Sequence, residues 1–227
     1  MVDMSVEIQN VSPDDAAELA AIYAPYVERT AVSFEYVAPT PEEFKRRIIK
    51  TIEKYPYIKA VENGEIFGYA YAGAFKERAA YDWDVETSIY IRQDARRRGL
   101  GRLLYGELIR RLGVMGILNV YACVACTEVE DEYLTNASID FHRALGFKTV
   151  GLFPHCALKF NRWYDMQFLS FGAGNTKVAA GKLLGEALAL AKDPERQRVG
   201  ETSTTVRASS FFSRKIFPAL TVSEVEF

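Results

Sequence analysis

With 227 residues, 49% of them hydrophobic, the chain is long enough for one sizeable core, or one core with an appendage. Its 28 Lys and Arg against 30 Asp and Glu leave a net charge of −2, which excludes a global polyelectrolyte surface for nucleic acid or membrane. Met1 to Asn10 carries no long apolar run and nothing approaches the roughly 18–20 apolar residues of a membrane span, so a soluble cytoplasmic protein is expected.

In chain order, Val6 to Val11 reads as a strand. Ser12 then offers an N-cap oxygen, Pro13 stands at the first helical position, and Asp14 and Asp15 occupy the first turn, where the helix dipole favours negative charge. The helix that follows turns Ala16, Leu19, Ala20, Tyr23 and Val27 inward. An irregular connection leads to Thr40-Pro41-Glu42-Glu43, a capping-box sequence that opens a second helix running towards Tyr55. Tyr57–Val61 and Glu65–Tyr71 read as strands. Between them Asn63-Gly64 is a strong hairpin signal, because a type I′ turn needs two positive φ angles. Residues 73–86 form a loop rich in charge and aromatic rings, leading into a strand with Thr87, Ile89 and Ile91 on one face.

Arg96-Arg97-Arg98-Gly99-Leu100-Gly101 comes next, and Leu100, Leu103, Leu104, Leu108 and Leu112 recur at helical spacing. The first amides of a helix have no intrahelical acceptor, and the helix dipole adds positive charge at the same end. Glycine lets an anion approach the backbone closely. With Arg92 and Arg102 nearby, the turn suits a pyrophosphate. The third glycine and acidic residue of a dinucleotide fingerprint are not clear, and the Gly-Lys-Ser/Thr of a Walker loop is absent.

Residues 117–125 give another strand. The run that contains it, ILNVYACVACTEV, holds Cys123 and Cys126, which point to opposite faces and lack a second ligand pair, so they read as small buried hydrophobes rather than a metal or redox site. The acidic segment 127–135 reads as a solvated loop. Asn136 or Ser138 starts a short helix that Gly146 stops, and 147–153 with 158–170 form a closing antiparallel pair. The order β-α-α-β-β-β-α-β-α-β-β predicts an α/β (α+β) domain with a mixed, largely antiparallel central sheet flanked by helices. From Gly172 the composition changes, and 173–227 reads as a C-terminal extension, one helix plus a flexible tail.

The spacing Arg96-x-x-Gly99-x-Gly101 resembles the acetyl-coenzyme A signature of the GNAT N-acetyltransferases. The stretches YAYAGAFKERAAYDWDVETSIYI, NASIDFHRALGF and KFNRWYD resemble the phosphinothricin or methionine sulfoximine N-acetyltransferase branch, over roughly residues 6–170. The resemblance implies a GNAT domain over 1–172 with acetyl-coenzyme A (acetyl-CoA) as co-substrate, lying where the strand ending at Ile91 splays from the strand at 117–125. Ile89, Tyr90 and Ile91 would meet the pantetheine arm. Arg96, Arg97, Arg98, Gly99, Leu100, Gly101 and Arg102 would wrap the pyrophosphate, and Asn136 would contact the cofactor.

Glu86, at the junction of loop and strand, is the candidate general base; local sequence alone also fits a plain surface carboxylate. Such a base is needed because an α-amine is mostly protonated at pH 7 and attacks only when neutral. His142 is open to two readings, a proton donor or orienting group beside the departing sulfur, and a hydrogen-bonded core residue. Lys76 and Arg78 would hold the acceptor's acidic groups, an Arg fork matching two oxygens, and Tyr71 would wall the pocket. The resemblance further implies direct attack without an acyl-enzyme, a homodimer, and no metal, nucleic-acid or membrane partner. The resemblance thus predicts an acetyl-CoA-dependent N-acetyltransferase acting on a small amino-acid-like amine of the phosphinothricin or methionine sulfoximine type. Segment 127–135 is longer than is usual for the branch, and the alternative acceptor is a protein N-terminus or a polyamine, the latter disfavoured by Lys76 and Arg78. A non-catalytic acyl-CoA sensor is the reading from another class.

Overall fold

The computed structural model describes residues 6–172; the extension expected over 173–227 lies outside the described residues. The elements run β1 (Glu7–Asn10), α1 (Ala16–Arg29), α2 (Pro41–Ile52), β2 (Tyr57–Glu62), β3 (Glu65–Ala74), β4 (Asp84–Ile91), α3 (Leu100–Val114), β5 (Asn119–Cys126), α4 (Ala137–Ala144), β6 (Lys148–Lys159) and β7 (Arg162–Phe171). They form one sheet in the order β1-β2-β3-β4-β5-β7-β6. Every neighbouring pair is antiparallel except β4 with β5. This is the expected element order and a mixed, largely antiparallel sheet.

Local chemistry sets the element ends. The Ser12 N–H donates to Asp15 Oδ2 at 2.7 Å, and Thr40 Oγ1 accepts the Glu43 N–H at 3.2 Å. The Glu43 carboxylate turns to Arg46 and Arg47, so its half of the box goes to ion pairs along α2. The β2–β3 hairpin turns through Asn63 (φ 53°) and Gly64 (φ 83°), as the sequence predicts.

The last hairpin departs from expectation. β6 continues to Lys159, and the reversal falls at Phe160 (φ 50°) and Asn161 (φ 58°), a two-residue turn without glycine. The expected break after Phe153 is a bulge instead, where the register shifts between Phe153 and Ala157 and the His155 N–H donates to Asp165 Oδ1 at 2.7 Å.

Two cores sandwich the sheet. On one face α3 lays Leu100, Leu104, Leu108 and Leu112, four apart, onto Ala60, Ala70, Ala72 and Val85, small side chains that let the helix sit close. On the other, α1 and α2 bring Leu19, Tyr23, Tyr26, Phe44 and Ile48 against Tyr57, Ile66 and Tyr69. Lys159 is buried between β6 and the exit of α1, where its Nζ donates to Val27 O at 2.7 Å and Ser33 O at 2.6 Å. A buried ammonium persists only with such partners.

Candidate active site

Antiparallel pairing with β3 fixes the two faces of β4. Val85, Ile89 and Ile91 face α3, whereas Tyr90 faces α1 and α2. The Arg92 N–H donates to Phe67 O at 2.8 Å, so alternation leaves the main-chain groups of Ile89 and Ile91 directed away from β3, towards β5. The parallel partner is soon lost: β4 pairs with β5 only at Asp84–Asn119, Val85–Val120 and Glu86–Tyr121. Beyond Glu86 the strands part, as expected. The Tyr26 hydroxyl fills the far end, donating to Ile91 O at 2.5 Å and accepting from Ile91 N at 3.3 Å. That leaves Ile89 in the open stretch. Tyr90 stands apart from this slot, because its main chain pairs with Tyr69 of β3 and its ring sits 4.7 Å from Tyr23 on the other face.

The slot leads to the start of α3. Gly99 is the N-cap at φ +82°, and a Cβ there would meet nothing within 4 Å, so the surface above it is open. Gly101 is close-packed instead: a Cβ would come within 2.9 Å of Phe141 Cζ on α4. The arginines divide. Arg98 is bound to the buried Glu62 carboxylate at 2.7 and 2.8 Å, Arg92 pairs with Asp94 and Glu65, and Arg96 lies 5.2 Å over the Tyr26 ring. Among the described residues Arg97 and Arg102 make no ion pair and are exposed. The turn is thus braced by Arg98 and charged by Arg96, Arg97 and Arg102.

On the α1/α2 face, Glu86 is half-buried just before the strands part. Cys123 of β5 lies beside it: burial pushes the thiol up, the Glu86 carboxylate adds to that by charge and hydrogen bond, and Lys76 opposes it. The thiol stays protonated, a poor nucleophile. Reading Cys123 as a buried hydrophobe is therefore corrected, since it is half-exposed at the site, whereas Cys126 is buried. Strand register decides this, and no local motif carries it.

Phe75 stacks on Tyr121 at 4.4 Å, with Lys76 Nζ 5.0 Å from the Phe75 ring centre. Arg78 is exposed at the head of the short turn that follows. Tyr71 packs on Tyr57 at 4.7 Å on the Glu86 side of the sheet.

His142 is buried, and both ring nitrogens are engaged. Nδ1 is 2.6 Å from Ser138 O, which can only accept, so Nδ1 carries the proton. Nε2 then accepts from the Tyr105 hydroxyl at 2.8 Å, and that hydroxyl reaches Thr87 Oγ1 of β4 at 3.1 Å. Burial holds the His142 pKa down, opposed by the Ser138 bond. The unfolded chain takes up this proton near pH 6.5 while the folded chain resists it, so stability present above that pH is lost as pH falls towards the depressed value. The unfolding midpoint should fall between about pH 7 and pH 5, and a melting series should show a flatter fall for His142→Gln.

Asn136 stands at the N-cap position of α4, but its side chain makes no capping bond and spans Thr127 instead, accepting from Thr127 N at 3.2 Å and donating to Thr127 O at 2.9 Å. The preceding segment, expected as a solvated loop, is organised by its own carboxylates. Asp131 accepts from Tyr133 N, Leu134 N and the Tyr164 hydroxyl at 2.7 to 2.9 Å and pairs with Arg162, while Glu130 accepts from Asn136 N at 2.7 Å. Among the described residues there is no cluster of three metal-ligating side chains, and no helix is long and apolar enough to cross a membrane.

Residues 8–168 match a family model described as an acetyltransferase (GNAT) domain. The chain is 31% identical to a phosphinothricin N-acetyltransferase of Streptomyces viridochromogenes, over 72% of this chain and 85% of that protein. It is 32% identical to an L-methionine sulfoximine/L-methionine sulfone acetyltransferase of Pseudomonas aeruginosa, over 78% and 99%. A crystal structure of a phosphinothricin acetyltransferase from Sinorhizobium meliloti in complex with AcCoA superposes with a TM-score of 0.68 at 32% identity, covering 75% of this chain and 90% of that one.

Proposed function

We propose that this chain, which belongs to the GNAT acetyltransferase family, transfers the acetyl group of acetyl-CoA to the amine of a small amino-acid-like acceptor. One observation carries the reading: β4 leaves β5 directly after Glu86, and the slot so opened runs to an uncovered helix N-terminus ringed by arginines. When bound, acetyl-CoA supplies the acyl group as an activated thioester. The main chain of Ile89 orients its arm, the amides at the start of α3 with Arg96, Arg97 and Arg102 hold its diphosphate, and Asn136 fixes the α4 end of the slot.

Glu86 takes the proton from the acceptor's ammonium, and the freed amine attacks the thioester carbonyl. As the C–S bond breaks, the attacking nitrogen gives up its second proton to the departing sulfur, leaving the amide and the free thiol. Lys76 and Arg78 hold the acceptor's carboxylate, and Tyr71 walls its pocket. The protonated state of the Cys123 thiol supports direct attack rather than an acyl-enzyme. For His142, engagement of both nitrogens supports a positioning role: through Tyr105 it ties α4 and α3 to β4. A cytoplasmic homodimer without a resident metal belongs to the same proposal, on the family likeness alone.

The test is thiol release from acetyl-CoA across amino acids, their sulfoximine, sulfone and phosphinate analogues, peptides and polyamines. Amino-acid-like acceptors should give the highest kcat/KM. A higher value for peptides or polyamines would displace the acceptor assignment.

A further inference from the structure

At the end of β2, two strands away from β4, Glu62 buries its carboxylate against the turn that opens α3. Its two oxygens accept from the Arg98 guanidinium at 2.7 and 2.8 Å. This placement runs against simple electrostatics. A carboxylate beside a site for a diphosphate repels the ligand, and it neutralises one of the arginines that would attract it. It is also costly to bury unless it is paired.

The turn shows what the pair does. Arg97 adopts φ 63°, in the left-handed region where a side chain is strained, and Gly99 follows at φ 82°. Such a backbone persists only where its surroundings fix it. On one side of Arg97, Arg96 lies over the Tyr26 ring. On the other, Arg98 is gripped by Glu62 and lies 5.1 Å from the Phe67 ring centre, with Arg92 4.1 Å from the same ring. A bulge frees Phe67 for this contact: Ala60 pairs with Gly68 and Val61 with Ile66, so Phe67 has no partner on β2. Glu62 and Phe67 thus reach the turn from one hairpin.

We infer that Glu62 is a positioning residue for the cofactor: by gripping Arg98 it holds the left-handed turn at Arg97–Gly99, so that the free amides at the start of α3 are preset for the diphosphate. Glu62 touches no substrate and acts through Arg98. A preset array of donors binds without being ordered first, whereas a loose turn must be ordered by the ligand. The inference rests on the acetyltransferase reading above and adds to it a residue on β2, remote from the reacting atoms.

The experiment compares the wild type with Glu62→Gln, which keeps the shape of the side chain and removes its charge. Calorimetry measures the affinity for coenzyme A (CoA). Thiol release gives kcat/KM with acetyl-CoA and with S-acetylpantetheine, which has the same arm and thioester but no diphosphate. Electrostatics alone predicts tighter CoA binding in the variant, since a negative charge is gone. Loss of the grip predicts the reverse, a Kd for CoA raised by about 3–10-fold, the size of one hydrogen bond. The preference for acetyl-CoA over S-acetylpantetheine should fall by the same factor, and amide hydrogen exchange at residues 96–100 should quicken in the unliganded protein. Glu62→Gln/Arg98→Gln should bind CoA within about twofold of Glu62→Gln, because Arg98 acts only together with its partner. An unchanged or lower Kd in Glu62→Gln overturns the role. So does an equal loss with both donors, unaltered exchange at the turn, or a further loss in the double variant. If the wild type binds CoA, those outcomes fall on this role alone; if it does not, the transferase reading falls and takes this role with it.

Discussion

Glu86→Gln should lower kcat by about 10²–10⁴-fold at neutral pH, with the KM for acetyl-CoA within about twofold of wild type. The substitution keeps the shape of the side chain and removes its capacity to accept a proton. Glu86 sits where β4 and β5 cease to pair, on the face that carries Cys123 and Tyr71, and no other carboxylate of β4 lies beyond that point on the same face. An α-amine is mostly protonated at pH 7, so the variant must await the minor free form. The deficit should therefore shrink at alkaline pH, where free amine is abundant. A thiol-release pH profile measures both effects, and a kcat equal to wild type at neutral pH would remove Glu86 as the base.

Gly99→Asp should raise the KM for acetyl-CoA by about 10–100-fold while moving the melting temperature by only a few degrees. A unit charge about 4 Å from an anion is opposed by about 1 kcal/mol in water and about 4 kcal/mol near a protein surface, and a diphosphate carries more than one charge. The fold should tolerate the change because Gly99 is an N-cap with open space where a Cβ would go. Asp is favoured at helix N-caps and among the side chains least averse to positive φ. Gly99→Asn is the control, since it has nearly the same shape without the charge and should recover most of the affinity. Equal KM values for the two variants would place the diphosphate elsewhere.

What could be read from the chain differs by kind of signal. Helix α1, with its Ser12-Pro13-Asp14-Asp15 entrance, and the β2–β3 hairpin at Asn63-Gly64 were legible because their signals are local and chemical. The glycine turn before α3 was legible for the same reason. The β6–β7 reversal was not, because Phe160 and Asn161 hold positive φ without a glycine to announce it. The acidic segment before α4 has the composition of a solvated loop, and only the fold reveals Asp131 gathering two amides, a phenol and a guanidinium.

At the site, the position of Glu86 followed from the loop-to-strand transition together with the family likeness. Its neighbours on other strands did not. Cys123 reaches Glu86 through the register of β5, Arg98 is claimed by Glu62 from β2, and the Tyr26 hydroxyl comes 65 residues along the chain to hold Ile91.

The separation of β4 from β5 has one more consequence. A sheet of seven strands has two outer rims, here β1 and β6, where stray chains can add themselves. The gap creates a third rim in the interior, between the helices packed on the two faces of the sheet. On the function proposed above, the thread that uses it is pantetheine, which carries amides of its own. The same backbone valences that invite promiscuous association at the periphery thus become, at the centre, a lock cut for one slender key.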